Sequence, residues 1–470
     1  MRYFLIIFFG LIQIVFVQAT TIISSNNAEY AGKTLQFFSY SDPVIKDKIP
    51  VFTLTFDEKG KSSASLELNS NIFVFCDFGV YRGMLFAEPN QTIELKLPPL
   101  REKTFADQKN PYFELVSFWF ATGNKNQLSN QISDFTIKLN QLSNKYFDRL
   151  YFRQSKEIYD SIVEQLDAEF SAINSETFKL HKELSLKLIE AEAFREKPEE
   201  YAEILNGIKP DYWLQPAFIS LFENTFKSQL SFEAKSIKGE DIRNAVNKSD
   251  INFLMNFIKT QYKIEGDPAQ LVLLKLLHDA WYSGDFSKPA IEKMVNSPTF
   301  AKSKNKLIEQ TAINIYDRFT FLQPGNEAPV ICLSDLSGKK VCTNKNKEKF
   351  KYLIFADVEM IVCREQLKYL SKIQERFQQY LDIYVILRNT DPVEIKKFFS
   401  ENEIPGIKLL DSDNEFVEDY RIKSFPQCYL LDENHHMKFS SAKAPLDGFE
   451  QQFGTFLQHE LFERQRNQSR

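Results

Sequence analysis

At 470 residues the chain is too long for one hydrophobic core and predicts two or three domains. Its formal charge of −5, from 58 basic and 63 acidic residues scattered among one another, excludes the basic stripe of a nucleic-acid binder. Phenylalanine is abundant at 44 and glycine scarce at 15, a composition of large apolar cores rather than disorder.

The first residues read as a targeting segment. Arg2 supplies a minimal positive region, Tyr3 to Val17 is almost wholly apolar, and Val17-Gln18-Ala19 places a small residue at the cleavage position. This predicts a secretory signal peptide over 1–19, cleaved after Ala19, and export, most directly to the periplasm of the cell envelope. The alternative is an uncleaved membrane anchor, for which the run is short. No cysteine follows it for lipid attachment, and no later segment approaches the roughly 18 apolar residues of a span, so no membrane span is expected after cleavage.

Residues 20–105 predict a small antiparallel β-sandwich. Thr34–Phe38, Val51–Phe56, Ser65–Leu68, Ile72–Phe75 and Ile93–Leu97 are short β-prone runs, separated by turn signals such as Asp57-Glu58-Lys59-Gly60 and Glu88-Pro89-Asn90. Cys76 ends one run and reads as a buried structural thiol. Residues 106–322 predict an all-α middle region: Ile158-Ile162-Leu166, Leu180-Leu184-Leu188 and Leu271-Leu274-Leu277 recur near the helical period. Pro198, Pro210, Pro216 and Pro268 punctuate it. His181 and His278 each stand alone on a helical pattern, and Asp279 beside His278 makes no metal motif. Asn90, Asn247 and Asn467 open glycosylation sequons, which matter only in a eukaryotic source.

A third region, 323–470, starts at the linker-like Pro324-Gly325-Asn326-Glu327-Ala328-Pro329. Strands are predicted at Val330–Ser334, Val341–Thr343, Tyr352–Val358, Ile383–Leu387, Ile407–Leu410, Gln427–Leu431 and Met437–Ser440. Helices are predicted over Arg364–Tyr380, Pro392–Ser400 and Asn414–Tyr420, with a last one running through Phe462. That alternation is an α/β layer with some parallel pairing. Gly325-x-x-Ala328-Pro329, Ser334–Lys339, and Phe425-Pro426 followed by Cys428-Tyr429-Leu430-Leu431-Asp432 occur in order. On these motifs the segment from Pro324 to about Arg466 resembles the thioredoxin-like proteins of the TlpA family, in the exported multidomain form of Bacteroidetes-type bacteria. The regions before it resemble, in layout alone, the N-terminal extension such proteins carry. The resemblance implies a C-terminal α/β thioredoxin-like domain, a first hairpin turn at Ser334–Lys339, and a cis-proline strand whose Phe425-Pro426 loop holds an extended peptide. It also implies a redox motif at Met360-Ile361-Val362-Cys363.

There the sequence departs from the family. The leading position, where the attacking thiolate is stabilised by the helix start, is Met360. Cys363 fills the second, resolving position, so dithiol exchange through this loop is excluded by composition unless another cysteine moves in. Cys363 acting alone on a substrate disulfide remains open, with Arg364 and Lys368 either helping to lower its pKa or simply solvated; so does a buried, inert thiol. Peroxidase chemistry on this fold needs a threonine three residues before the cysteine and a proline ahead of it. Met360 stands at the first position, and Phe355–Val362 contains no proline. Cys428 shares a strand face with Pro426 and can lie within reach of Cys363.

Cys332 and Cys342 flank the hairpin turn, where opposite positions bring Cβ atoms within disulfide range. A structural disulfide, two free thiols and a redox pair are the three readings, the first favoured. With five cysteines the count is odd and no dense disulfide framework exists. His435-His436 reads as an exposed turn whose rings point apart, so no metal site and no cofactor are expected. The expectation is thus an exported thioredoxin-like protein that has lost dithiol redox activity and binds an envelope protein or peptide. The alternative is a thiol–disulfide oxidoreductase working through Cys363, with or without Cys428.

Overall fold

The computed structural model describes residues 20–110, 112–236, 239–388 and 392–468, so the expected signal peptide over 1–19 lies outside the described residues. The chain divides into two compact units, Met1–Tyr316 and Asp317–Arg470.

The first unit opens with β1 (Thr20–Asn26), β2 (Thr34–Tyr40), β3 (Lys48–Thr55), β4 (Lys61–Glu67), β5 (Ile72–Phe78), β6 (Tyr81–Ala87), β7 (Thr92–Lys96), β8 (Val116–Trp119) and β9 (Ala121–Thr122). They form a four-stranded sheet in the order β4-β1-β7-β9 and a five-stranded sheet in the order β3-β2-β5-β6-β8. Ile23, Ile93 and Leu95 of the first and Phe37, Leu54, Val74 and Leu85 of the second share one core with Cys76 and Phe120. Cys76 is buried, as a structural thiol should be.

Pairing is not wholly antiparallel: β1 lies parallel to β7, and β6 parallel to β8. Neither pair is consecutive in sequence, and parallel neighbours need such crossover connections. The strands β8 and β9 correct the expectation of an all-α region from residue 106. β8 takes its hydrogen bonds from β6, and its Trp119 ring stacks on Phe86 at 5.5 Å.

The five-stranded sheet is covered on its other face by helices Leu128–Lys145, Lys156–Glu169 and Glu176–Phe194. Phe73, Phe75 and Phe86 pack there against Ile132, Phe135, Ile162, Leu166 and Phe178. Burial on both faces explains why Ile72–Phe75 is continuously apolar instead of alternating. Further helices follow; in Gly266–Ser283 the whole Leu271–Leu277 run is buried.

In the second unit β10 (Cys332–Asp335), β11 (Lys340–Cys342), β12 (Phe350–Ala356), β13 (Leu381–Arg388), β14 (Ile407–Asp411), β15 (Gln427–Leu431) and β16 (Met437–Ala442) form one sheet. Its order is β11-β10-β14-β13-β12-β15-β16, with β12, β13 and β14 mutually parallel. Every residue of the central β12 is buried. Tyr352, Ile354 and Ala356 face Leu367, Leu370, Phe449 and Phe453 on one side, while Leu353 and Phe355 face Tyr420 and Tyr429 on the other.

The single helix expected over 364–380 is instead two, Ile361–Lys368 and Leu370–Phe377. The break falls at Tyr369, whose hydroxyl donates to Glu450 Oε2 at 2.9 Å and holds the chain to the C-terminal helix Phe449–Gln468.

Candidate functional site

The site begins where β12 runs out. The Asp357 carboxylate accepts from the Glu359 amide and its carbonyl from the Met360 amide, both at 3.0 Å, making the tight turn that launches helix Ile361–Lys368. Met360 is the helix N-cap, and its thioether cannot satisfy a free amide there. Met360, Ile361 and Val362 are 39%, 78% and 47% exposed, an apolar ridge at the loop.

Cys363 turns the other way, wholly buried at 0% exposure among Tyr352, Ile354 and Leu367. Burial pushes its thiol up to about 11, and a hydrogen bond from the Asp357 backbone offsets only part of this. Of the two readings of Arg364 and Lys368, lowering this pKa or simply facing solvent, their contacts favour the second. Arg364 Nε donates to Val358 O, its guanidinium lies 5.7 Å over the Phe398 ring, and its Nη2 is 3.5 Å from Glu394. Lys368 pairs with Glu365 at 2.8 Å. Both cations are spent on neighbours at the surface and act little on a sulfur facing the core.

The Phe425–Pro426 peptide bond is cis. Phe425 lies beneath the Arg388 guanidinium at 5.1 Å, and Arg388 Nη1 lies 3.7 Å from Asp357 Oδ2, a largely buried pair. Asp357, Arg388 and Phe425 therefore join the cysteine loop to the proline loop. Sequence reasoning missed this link, although a signal existed. Asp357 and Arg388 are the first charges after the apolar runs Tyr352–Ala356 and Ile383–Leu387, and the parallel register Ala356↔Leu387 sets them side by side.

Cys428 sits on β15 opposite Ile354 and shares the core of Cys363, both as free thiols. Burial pushes Cys428 up to about 12; it is hydrogen-bonded with Tyr352, and a charge on Cys363 raises it further. Cys332 and Cys342 face each other across β10 and β11, with Cα atoms 4.1 Å apart, and are joined as a disulfide. In the sheet order β10 lies three strands from β12, so the disulfide stands apart from the loop.

His435 corrects the expected exposed turn. Its ring is buried, with Nε2 3.3 Å from Pro329 O, because the left-handed turn at φ 72° folds it beneath the opening segment. His436 remains partly exposed, 3.5 Å from Asp432. Among the described residues no group of three or more His, Cys, Asp or Glu side chains is placed to hold a metal ion, and no helix is long and apolar enough to cross a membrane.

Residues 324–440 match the AhpC/TSA family model. Thiol-disulfide oxidoreductase ResA of Bacillus thuringiensis subsp. konkukian is 21% identical over 114 residues, which are 24% of this chain and 66% of ResA. The thioredoxin-like protein YneN of Bacillus subtilis is 25% identical over 134 residues, 27% of this chain and 78% of YneN. The chain thus spans about two thirds of the ResA relatives it matches. Among solved structures, the thioredoxin domain of a thiol-disulfide oxidoreductase from Bacteroides vulgatus is similar at 25% identity and TM-score 0.27. That match covers 28% of this chain and 97% of that domain. A putative thiol:disulfide interchange protein DsbE from Chlorobium tepidum is similar at 18% identity and TM-score 0.24, covering 25% of this chain and 83% of that one. The second unit is a thioredoxin-like domain that matches the AhpC/TSA family model over residues 324–440 and is similar to thiol-disulfide oxidoreductases, with methionine and a buried cysteine at the two ends of its Met360–Cys363 loop.

Proposed function

We propose that this is an exported TlpA-like protein whose thioredoxin-like domain no longer performs dithiol exchange and instead binds an extended peptide or protein segment in the cell envelope. The observation that carries this reading is the state of the loop. Met360 cannot ionise or form a disulfide, and Cys363 is wholly buried with its thiol pushed up to about 11. Such a thiol is ionised in about one molecule in ten thousand at pH 7, and only the thiolate attacks. The binding surface is the exposed Met360-Ile361-Val362 ridge with the cis Pro426 loop, held in register by Asp357, Arg388 and Phe425. Export is supported by the Arg2, apolar and Ala19 pattern of residues 1–19. In this reading residues 20–105 and 106–322 are the N-terminal extension and 323–470 the binding domain.

One observation favours a second reading, a thiol–disulfide oxidoreductase using Cys363 with Cys428: the two thiols share one core, and a charge on Cys363 acts on Cys428. Insulin reduction with dithiothreitol distinguishes the two. The binding reading predicts that wild type runs at the blank rate, while Met360→Cys, which restores Cys-x-x-Cys at the helix start, gains activity. Wild-type activity that is lost in Cys363→Ser overturns it.

A further inference from the structure

Far from the loop in sequence, the first unit carries a second surface whose chemistry the proposed function does not use. Helix Leu128–Lys145 runs on into a π-helical turn, Asp148–Phe152, in which the Arg153 amide reaches back to Asp148 O at 3.1 Å. In an α-helix, residues five apart point about 140° away from each other. The wider π turn brings five-apart positions to the same side, and π turns recur at functional sites. Here it sets Phe147 and Phe152 edge to face at 5.8 Å, with Tyr151 against Phe147 at 5.0 Å, while Leu150 is buried in the core and Tyr151 packs partly buried against it. Phe147 is 47% and Phe152 76% exposed, so the turn offers its rings to the outside instead of burying them.

The charges around the rings are arranged differently from those of the adjoining helices. There, Lys138, Lys156, Lys182 and Lys187 are each within 2.8 Å of a carboxylate. Lys145, Arg149 and Arg153 flank the exposed rings, and none of them has a carboxylate partner among the described residues; Lys145 lies over the Tyr146 ring at 4.9 Å. Residues 145–153 hold three cations against one acid, Asp148, in a chain of net charge −5. Glu192 is the acid that faces Tyr151 from the neighbouring helix.

We infer that this turn docks the protein on an anionic phospholipid surface, with Phe147 and Phe152 entering the acyl boundary and Lys145, Arg149 and Arg153 meeting the phosphates. Exposed aromatics flanked by unpaired cations are what an interfacial anchor requires. A hydrated polyanion fits less well: phenylalanine has no hydrogen-bonding group, so its rings gain little from a sugar chain and much from hydrocarbon.

The test is co-sedimentation of the purified protein with vesicles of about three parts phosphatidylcholine to one part phosphatidylglycerol. Pure phosphatidylcholine vesicles are the control, and wild type is compared with Phe152→Ser and with Arg149→Gln/Arg153→Gln. Any contribution of the Tyr3–Val17 segment is common to all three proteins, and thermal melts check that the exposed substitutions leave the fold intact. The proposal expects binding to the anionic vesicles that weakens in high salt, falls roughly tenfold or more in the double arginine variant, and falls about fivefold in Phe152→Ser. Equal affinity for the two vesicle types, or variants that bind like wild type, overturns it. Binding to dextran sulfate but not to vesicles, lost in the arginine variant, also overturns it and assigns the turn to anionic polysaccharide.

Discussion

A cysteine at a helix start is reactive when the backbone amides and nearby cations stabilise its thiolate. Cys363 has little of either: its sulfur lies in the core, where one hydrogen bond from the Asp357 backbone only partly offsets burial, and Arg364 and Lys368 are engaged elsewhere. The same arithmetic of burial governs Asp357 and Arg388. Removing one partner of a largely buried pair leaves the other charge without compensation, so Arg388→Leu should cost about 3 kcal/mol in urea denaturation. A loss well under about 1 kcal/mol would mean that the pair does not hold the two loops together. His181 gives a pH signature in the first unit, where Phe86, Trp119 and Phe135 pack edge-on around its ring. Burial lowers its pKa from 6.5 to about 4, so the unfolded chain binds the proton more readily than the folded one. Stability must therefore fall as pH drops from about 6.5 to about 4, by about 3 kcal/mol for this group. His181→Leu should show a shallower fall across that window, read as the difference between the two proteins' melting temperatures at each pH.

Among the elements, those with strong local signals were legible in the sequence. The apolar β12, the helical spacing from Leu367 to Phe377 and the opposed Cys332 and Cys342 all appear close to where the residues place them. Elements that depend on a distant partner were not. β6 contains Gly83, which no propensity favours in a strand; a Cβ there would come within 2.2 Å of the Phe120 ring, so the glycine is set by packing. β8 exists because β6 offers a parallel edge, and the direction of Cys363 is decided by a helix that begins three residues earlier than its apolar spacing shows. Asp357 and Arg388 become meaningful only once the register of β12 and β13 is known. The β10–β11 disulfide clips a hairpin at the sheet edge, and its loss should lower stability by about 3 kcal/mol at most on the chain-entropy model. A Cys332→Ser/Cys342→Ser variant should accordingly melt earlier and yet leave the reactivity of the other three cysteines unchanged.

For the whole molecule, the family match covers residues 324–440 alone, and the first unit has its own cores and its own exposed aromatic turn. The account rests on the claim that the folded protein presents no reactive thiol in its thioredoxin-like domain. Titration with a chromogenic disulfide near pH 8, native and then in guanidinium, tests that most directly, with the modified residues assigned by mass spectrometry. Three free cysteines, Cys76, Cys363 and Cys428, are all buried, so the native protein should react at none of them quickly and at all three once unfolded. A single fast-reacting thiol in the native protein, assigned to Cys363 and half-ionised below about pH 9, would contradict the account.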